Sequence, residues 1–252
     1  MYNQYELYIS FDYNVPVLNW QPYPKSIKYS VYRGVSEESL EKIKETNLLQ
    51  YRDPDISFPD SYDYKKYYYQ IGSVDINNKE TKFTELVQLK KDFNSPYKNV
   101  IKEIVRRNNL MLNRISGEDV DFYLKKYSGE RCPECFNEVT RDTESEKEQC
   151  EVCYNTSFVG GFEVITGKCR ILNAEDVMEE TPYGFKLSSE GKSGFMSVYP
   201  ITNTGDFLRT SNGEIYLINT VKKKRFQGTL TRQQLTLSLL QITHPYYSIN
   251  LS

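Results

Sequence analysis

The sequence predicts a mainly β fold in which two β-rich regions flank a helical and cysteine-bearing middle. Three observations predict it. Short segments that alternate apolar and polar residues, separated by turn residues, recur before residue 92 and after residue 163. The chain carries 22 tyrosines, 13 of them in the first 90 residues, and aromatic residues favour strands. Asn212-Gly213 lies between two alternating runs, which is a strong hairpin signal.

Composition bounds the class of protein. The 252 residues are 38% hydrophobic and 26% charged, as in folded proteins, and the net charge of -2 provides no overall basic field for nucleic acid. The N-terminus, MYNQYELYIS, lacks the basic and apolar regions of a secretory signal. No apolar run approaches the ~20 residues of a membrane span, so we expect a soluble chain, made in a cytosol, with no membrane partner.

Residues 1–92 predict a small β-sandwich. "YELYISF", "PVLNWQPYP" and "IKYSVYRG" are strand patterns, and "SEESLEKIKETN" predicts a helix or loop with Ser36 as its N-cap. "KKYYYQIGSVD" predicts a strand with Tyr67, Tyr69 and Ile71 on one face. The exposed part of this tyrosine-rich surface would suit contact with other proteins.

Three features of this region carry a family resemblance. Trp20 lies in the second predicted strand, "YSVYRG" forms the third and "KKYYYQIGSVD" the sixth. In this arrangement the region resembles a fibronectin type III domain. The resemblance implies a two-sheet β-sandwich with Trp20, Tyr67 and Tyr69 as core and corner residues.

Residues 93–128 predict a connector made of one helix and one strand. Ser95 is a good N-cap, Pro96 suits the first helical position and Gly117 ends the helix. "DVDFYLKKY" then alternates and predicts a strand leading to the cysteines. Its apolar face consists of Val120, Phe122 and Leu124, and that of the helix consists of Val100, Ile101, Ile104, Val105, Met111, Leu112 and Ile115.

Residues 163–252 predict a C-terminal β-barrel or sandwich of about six strands. "GFEVITGKCRIL" predicts two strands or one bent strand, and within it Cys169 is expected as a buried free thiol. "RFQGTLTRQQLTLSLLQITHPYYSI" predicts a long strand pair with Leu235, Leu237 and Leu239 on one face.

Residues 129–162 hold two CxxC pairs separated by 14 residues: Cys132, Cys135, Cys150 and Cys153. This spacing fits a zinc ribbon, because two thiolates of a CxxC turn can face one ion at about 2.3 Å and two such knuckles close a tetrahedron. Four soft thiolates favour Zn²⁺ over Mg²⁺ or Ca²⁺. Four protein ligands leave no open position, so we predict one structural zinc per chain.

Other chemistries of the four cysteines are less well supported. A redox CxxC belongs at a helix N-terminus, whereas polar turns and strands flank these pairs. Two disulfides do not suit a cytosolic chain. A rubredoxin-like iron site has the same ligands, and spacing does not separate it from zinc.

The flanks of the cysteines carry a second resemblance. A helix, a "GEDV" strand and "GERC" precede the first knuckle, and "CYNTSFVGGF" follows from the second. The segment resembles a family of tailed-bacteriophage neck proteins, found where the head joins the tail. This chain has Asn155 and Ser157 where the family pattern has glycines. The matching positions are Cys153, Tyr154, Thr156, Phe158, Val159, Gly160 and Gly161.

The C-terminal region adds to this resemblance. "GDFLRTSNGEIYLINTV" followed by "RQQLTLSLLQITHPYY" is similar to the strand–hairpin–strand of small β-barrel proteins that complete phage heads. The resemblances imply a structural virion protein of the neck, assembled in the bacterial cytoplasm. They imply a ring of about 6 or 12 copies, which contacts portal, adaptor or tail proteins and joins the head to the tail.

No motif predicts catalysis. The sequence has no G-x-S-x-G, Walker A, H-E-x-x-H or dinucleotide-binding loop. Its single histidine, His244, precedes Pro245 and is expected to be structural. We therefore expect a non-enzymatic protein.

One basic cluster, "VKKKRFQG", consists of Lys222, Lys223, Lys224 and Arg225. It is expected to cap a hairpin, where solvated charges discourage edge aggregation. The alternative is a contact with packaged DNA in the channel of a ring, or with an acidic patch on a neighbouring ring.

Two further functions were weighed. The chain would otherwise be a tail- or baseplate-associated binding module that recognises a host surface through its β-sandwich, and ring assembly separates the two classes. A zinc-ribbon nucleic-acid binder is disfavoured by the near-neutral charge and by the acidic stretch between the knuckles.

Overall fold

The computed structural model describes residues 5–12, 15–56, 67–89, 98–137, 142–143, 150–172, 178–181, 184–187 and 191–249, and strands dominate among them. The predicted N-cap at Ser95 and Pro96 lies outside these residues. The first eight strands are β1 (Leu7–Asp12), β2 (Val15–Trp20), β3 (Lys28–Gly34), β4 (Glu41–Thr46), β5 (Gln50–Arg52), β6 (Tyr68–Val74), β7 (Glu80–Lys82) and β8 (Val87–Gln88). Helix α1 (Lys98–Met111) follows them. The remaining strands are β9 (Glu118–Lys125), β10 (Phe136–Asn137), β11 (Asp142–Thr143), β12 (Phe162–Leu172), β13 (Met178–Thr181), β14 (Gly184–Leu187), β15 (Lys192–Met196), β16 (Phe207–Thr210), β17 (Ile215–Phe226) and β18 (Thr229–Leu239).

The chain forms two compact units that are interleaved in sequence. The first unit combines Met1–Lys98 with Lys125–Glu163, and the second combines Asn99–Leu124 with Val164–Ser252. Each unit is therefore discontinuous: the cysteine segment belongs to the same unit as the N-terminal strands. No helix in the described ranges is both long and apolar enough to span a bilayer.

Two antiparallel sheets form the N-terminal part of the first unit. One has the strand order β1-β2-β5, and the other has the order β4-β3-β6-β7 with β8 also paired to β6. Their apolar residues meet in one core cluster that includes Trp20, Tyr29 and Tyr69, with Trp20 packed edge-on against Tyr29 at 5.9 Å between ring centroids. As predicted for one face of the "KKYYYQIGSVD" strand, Tyr69 and Ile71 are fully buried.

A buried ion pair fixes the position of Asp53 in this unit. Asp53 is fully buried and accepts hydrogen bonds from Arg33 at 2.7 and 2.8 Å and from the Tyr69 hydroxyl at 2.8 Å. Burial raises the pKa of Tyr69, and the adjacent Asp53 carboxylate raises it further. The hydroxyl therefore stays protonated and acts as a donor, as a buried carboxylate requires.

The segment predicted to be a helix or loop forms a turn and a strand. Ser36, predicted as a helix N-cap, instead shares hydrogen bonds with Ser39 across the turn, and β4 begins two residues later. The Glu and Lys residues of β4 favour helices in isolation. Pairing with β3 overrides that preference, and charges such as Glu45, which pairs with Lys28 at 2.7 Å, suit an edge strand.

The second unit contains a closed six-stranded barrel with the strand order β12-β15-β18-β17-β16-β9. A C-terminal barrel is thus confirmed, and "GFEVITGKCRIL" forms one continuous strand, β12. Strand β9, which lies in the predicted connector, supplies one of the six strands. Its predicted apolar face is buried, with Val120, Phe122 and Leu124 each at most 2% exposed.

The barrel also buries the fifth cysteine, which lies outside the two CxxC pairs. Cys169 on β12 is fully buried, as predicted, and burial raises the pKa of its thiol to about 12. The predicted Leu235–Leu237–Leu239 face is only partly right, because Leu239 is 55% exposed. The ladder between β15 and β18 ends at Leu237, so β15 does not extend beside Leu239, although Tyr216 of β17 pairs with it on the other side.

Helix α1 follows the predicted amphipathic pattern only in part. Ile101 and Val105 are buried, whereas Val100 is exposed, and Ile115 is 69% exposed. The helix ends in a π-helical turn, Leu112–Ser116, that is closed by Gly117, the predicted end. Glycine is required there because a Cβ would lie 2.3 Å from the Leu112 carbonyl oxygen.

Two hairpins order the barrel. The Asn212-Gly213 signal is confirmed: Gly213, with φ +84°, donates to the Thr210 carbonyl and returns the chain from β16 into β17. Between β17 and β18, Gln227 and Gly228 have φ values of 49° and 79°, as a two-residue hairpin turn requires.

Candidate metal centre

The four predicted cysteines lie together and are all buried. Their Sγ atoms are all within 4.8 Å of one another. Cys132 and Cys150 are 3.7 Å apart at Sγ, and so are Cys135 and Cys153. A tetrahedral ion bound at about 2.3 Å by each sulfur would separate its ligands by about 3.8 Å. A disulfide would need about 2.05 Å, and all four thiols are free. The arrangement therefore has the size of a four-thiolate metal site.

Backbone pairing brings the two knuckles together. Arg131 and Phe158 form an antiparallel bridge, and on either side Cys132 donates to the Ser157 carbonyl at 3.0 Å while Val159 donates to that of Glu130 at 2.9 Å. The residues just before the first knuckle thus lie beside those just after the second. Strands β10 and β11, between the knuckles, pair as a short hairpin.

The second knuckle is built by a series of tight turns. The Tyr154 amide donates to the Cys150 carbonyl at 2.8 Å, and the Asn155 side chain accepts from the Cys150 amide at 3.2 Å. Asn155 and Ser157 have φ values of 62° and 73°, in the left-handed region that favours glycine. Both positions carry glycine in the phage neck pattern that this segment resembles.

Gly161 completes this path. Its φ is +61°, and a Cβ at this position would lie 2.8 Å from the Cys153 carbonyl oxygen. Its own carbonyl accepts from Lys126 at 3.0 Å. A glycine here therefore allows the chain after the second knuckle to pass close to the Cys153 carbonyl and to pair with Lys126, just after β9.

The neighbouring thiols of the cluster differ in pKa. Burial raises the pKa of Cys135, and the neighbouring thiols raise it further. Burial also raises the pKa of Cys153. At Cys150, burial acts in the same direction, but hydrogen bonds from the Cys153 and Val152 amides outweigh it and lower the pKa to about 7. One thiol of the cluster is thus readily ionised, and a metal ion would displace the protons of the others.

Polar contacts attach the base of the cysteine segment to the N-terminal sheets of the same unit. The Asn47 amide donates to Glu163 Oε1 at 3.0 Å, and the Asn47 carbonyl accepts from the Tyr127 amide at 3.2 Å and from the Ser128 hydroxyl at 3.3 Å. Asn47 lies between β4 and β5. Sequence patterns missed these contacts because they join residues at least 80 positions apart.

The predicted basic residues lie elsewhere, at the end of β17 farthest from the Asn212-Gly213 turn. Lys222, Lys224 and Arg225 are exposed, whereas Lys223 is half-buried and donates to the Asn203 side chain at 3.1 Å. The pairing of β17 with β18 adds Arg232, directly opposite Lys224. Simple counting outward from the Gln227-Gly228 turn would have placed Arg232 opposite Lys223, because a register shift between Lys224 and Arg225 moves the pairing by one residue.

The fold and the cluster define a class: a mainly β protein with four buried cysteines close enough together to hold one metal ion. No protein-family model and no curated protein matches this chain. Among solved structures, pectate lyase Pel3 from Pectobacterium carotovorum is 21% identical over 34% of this chain and 26% of that chain, with a TM-score of 0.28. Pectate lyase PelI from Erwinia chrysanthemi is 22% identical over 34% of this chain and 27% of that chain, with a TM-score of 0.29. Less than two thirds of each lyase chain is covered, and likenesses this slight carry no argument.

Proposed function

We propose that the cysteine cluster holds one structural Zn²⁺ and that the protein is a non-enzymatic, ring-forming component of a bacteriophage neck. The observation that carries the structural role is the ligand set. Cys132, Cys135, Cys150 and Cys153 are at most 6% exposed and leave no position for a substrate or water. A bound ion would therefore supply folding energy.

Zinc is proposed because it is the usual ion of four-cysteine ribbons, while the spacing alone also fits iron. Both ions accept four thiolates in a tetrahedron. Two CxxC knuckles at this spacing are typical of structural zinc. The metal would also replace apolar packing that this segment lacks, since Val152 is the one partly buried hydrophobic side chain among its described residues that packs against the four cysteines.

For the N-terminal sheets we propose a fibronectin type III-like domain. The strand orders β1-β2-β5 and β4-β3-β6-β7 support it, because such domains pack a small antiparallel sheet on a larger one. Trp20, in the second strand, lies in the shared core with Tyr69 of the sixth. In a virion this domain would decorate the outside or brace a neighbouring ring.

The neck assignment rests on the resemblance of the cysteine segment, and one feature of the backbone supports it. Asn155 and Ser157 adopt left-handed conformations where the family pattern has glycines. Glycine would adopt these two backbone conformations with less strain than asparagine or serine. We therefore take the positive φ values as support for an origin of this segment in a protein with the family pattern. The proposed partners are further copies of this chain and the portal, adaptor or tail proteins on either side.

A non-catalytic role agrees with the engagement of the single histidine. Nδ1 of His244 accepts a hydrogen bond from the Tyr246 amide at 3.3 Å, at the start of the 3-10 helix Pro245–Ser248. The ring therefore serves as a helix cap. Our proposal assigns it no part in proton transfer.

Two measurements test this proposal separately. Elemental analysis of purified protein should show one zinc per chain, and iron in its place would overturn the metal assignment. Cryo-electron microscopy of the purified chain, alone and added to portal-containing heads that lack it, should show a closed ring at the portal vertex. A monomer that ignores such heads but binds host cells would instead identify a tail or baseplate binding module.

A further inference from the structure

The charges of this chain are unevenly distributed. After Glu214 the remaining 38 residues contain five cations and no aspartate or glutamate. The residues before that point carry 27 cations against 34 carboxylates. The near-neutral total therefore conceals a basic C-terminal segment, and all five cations lie between Lys222 and Arg232.

Strand pairing arranges these cations on one two-stranded ribbon, here called the basic ribbon (Val221–Arg232). Lys222 pairs with Gln234, and Lys224 pairs with Arg232. Side chains two apart on a strand share a face and lie about 6.7 Å from each other. Lys222, Lys224 and Arg232 are exposed, whereas Lys223 alternates to the other face.

Among the residues that the structure describes, no carboxylate neutralises this face. Within the described part of the chain, Lys222, Lys224 and Arg232 form no ion pair, although Lys28, Arg33 and other cations do. Like charges directly opposite each other weaken a strand pair. The Lys224–Arg232 pair therefore costs stability in the free protein, and a bound polyanion would remove that cost.

The outward face of the ribbon is open to a large partner. Strand β16 pairs with β17 only up to Leu217, and β15 pairs with β18 only from Gln233, so no described strand adds to the ribbon itself. The inner side is covered: Leu230 and Thr231 are buried, and Asn108 of α1 donates to the Thr231 carbonyl at 3.2 Å.

We propose that the outward face of the basic ribbon, formed by Lys222, Lys224 and Arg232, binds the phosphate backbone of double-stranded DNA. The three cations are spread along a ribbon instead of converging on one pocket, which suits a repeating anion. A two-stranded ribbon is also of a size that the major groove admits. This inference stands apart from the proposed virion role.

Duplex DNA fits this face better than an acidic protein does. Stable protein interfaces centre on buried aromatic or aliphatic anchors. Lys222, Lys224 and Arg232 on the outward face are polar, and Phe226, next to the turn, is a single half-buried aromatic and not the central cluster of anchors that a stable protein interface uses. Contact with DNA backbone needs only cations and is independent of base sequence.

The test is fluorescence anisotropy with the full chain and a labelled 30-base-pair duplex of mixed sequence, at about 50 to 200 mM salt. Three phosphate contacts predict a fall in affinity of about 40-fold across this range. In the variant Lys222→Gln/Lys224→Gln/Arg232→Gln, binding at low salt should drop at least tenfold and most of the salt dependence should disappear. A second duplex of different sequence should bind the wild-type chain equally well.

A matched variant, Lys25→Gln/Lys44→Gln/Lys79→Gln, removes the same charge from exposed lysines of the other unit and should bind like the wild type. Circular dichroism checks that each variant is folded, and Arg232→Gln alone provides a milder change. Equal binding by wild type and ribbon variant, or no binding by the wild type, would overturn the proposal. Tighter binding of poly-glutamate than of DNA would also overturn it, in favour of an acidic protein partner.

Discussion

The Asn47 backbone amide donates a hydrogen bond to the Glu163 carboxylate across 116 positions of sequence. This contact joins the turn between β4 and β5 to the start of β12, just after the cysteine segment and within one unit. The Thr46 hydroxyl lies 3.5 Å from the other oxygen of the same carboxylate. The Glu163 carboxylate thus provides hydrogen-bond acceptors for two donors of this turn, the Asn47 amide and the Thr46 hydroxyl.

Glu163→Ala should therefore destabilise the first unit. Hydrogen bonds to a charged acceptor contribute about 1.5–3 kcal/mol, and Glu163 is only half-buried, so we expect a loss of about 1.5 kcal/mol. Chemical denaturation followed by circular dichroism measures it. Glu163→Gln keeps an acceptor oxygen and should lose less, and Glu151→Ala, at an exposed position, should change nothing. Equal losses in all three would contradict this role.

Removal of the metal should unfold the cysteine segment. Few apolar side chains support it, so a chelator should expose the thiols and lower the temperature of the first thermal transition. Cys150→Ser should reduce the metal content below one ion per chain. Cys169→Ser is the matched control: this thiol is also buried, but it lies in the barrel and should leave the metal content unchanged. Loss of metal from both variants would argue against the assigned ligands.

Ser157→Gly should stabilise the second knuckle. Ser157 holds a left-handed φ of 73°, and relief of that strain should raise the free energy of unfolding by about 0.5–1 kcal/mol. Asn155→Gly is the informative comparison, because Asn155 also caps the Cys150 amide and its loss offsets the gain. Gly161→Ala should do the opposite, since its Cβ would meet the Cys153 carbonyl. Thermal unfolding of the metal-loaded proteins measures all three, and a destabilised Ser157→Gly protein would refute the strain argument.

The stability of the barrel should fall in mild acid through the single histidine. Burial lowers the pKa of His244 below its usual value of about 6.5. The unfolded chain therefore binds a proton at higher pH than the folded one, so stability is complete above about pH 6.5 and is lost as pH falls through the folded pKa. Protonation would also remove the Nδ1 acceptor of the Tyr246 amide.

Thermal unfolding at about pH 7.5 and 5.5 tests this. His244→Asn keeps a capping acceptor that does not titrate, so it should reduce the difference between the two pH values. A wild-type protein whose barrel transition is the same at both values would show that His244 is not coupled to folding.

Local signals were enough to predict the features whose determinants are close in sequence. The four cysteines were predicted because a CxxC turn sets two ligands by itself, and the β16–β17 hairpin was predicted because Gly213 supplies the left-handed residue that its turn needs. The buried face of β9 followed from simple alternation of Val120 and Phe122.

Features that depend on distant partners were not predictable in this way. Strand β4 has a helix-favouring composition and becomes a strand only because β3 pairs with it. Arg232 joins the basic ribbon through cross-strand register, which runs of charge along the sequence do not reveal. Ile115 matches the helical period of α1 yet is exposed, since periodicity states which residues share a face and not where the neighbouring elements end.

The interleaving of the two units has a consequence for synthesis on the ribosome. The chain enters the second unit at Asn99, leaves it after Leu124 and returns at Val164. The N-terminal sheets can close as soon as β8 has been translated, at a pace of about 5–20 residues per second. Strand β9, by contrast, emerges long before its partner β16, and its apolar residues must wait through the translation of the whole cysteine segment. A nascent chain stalled before β12, the other neighbour of β9 in the closed barrel, would display an orphaned hydrophobic strand, and this interval is where chaperones should engage it.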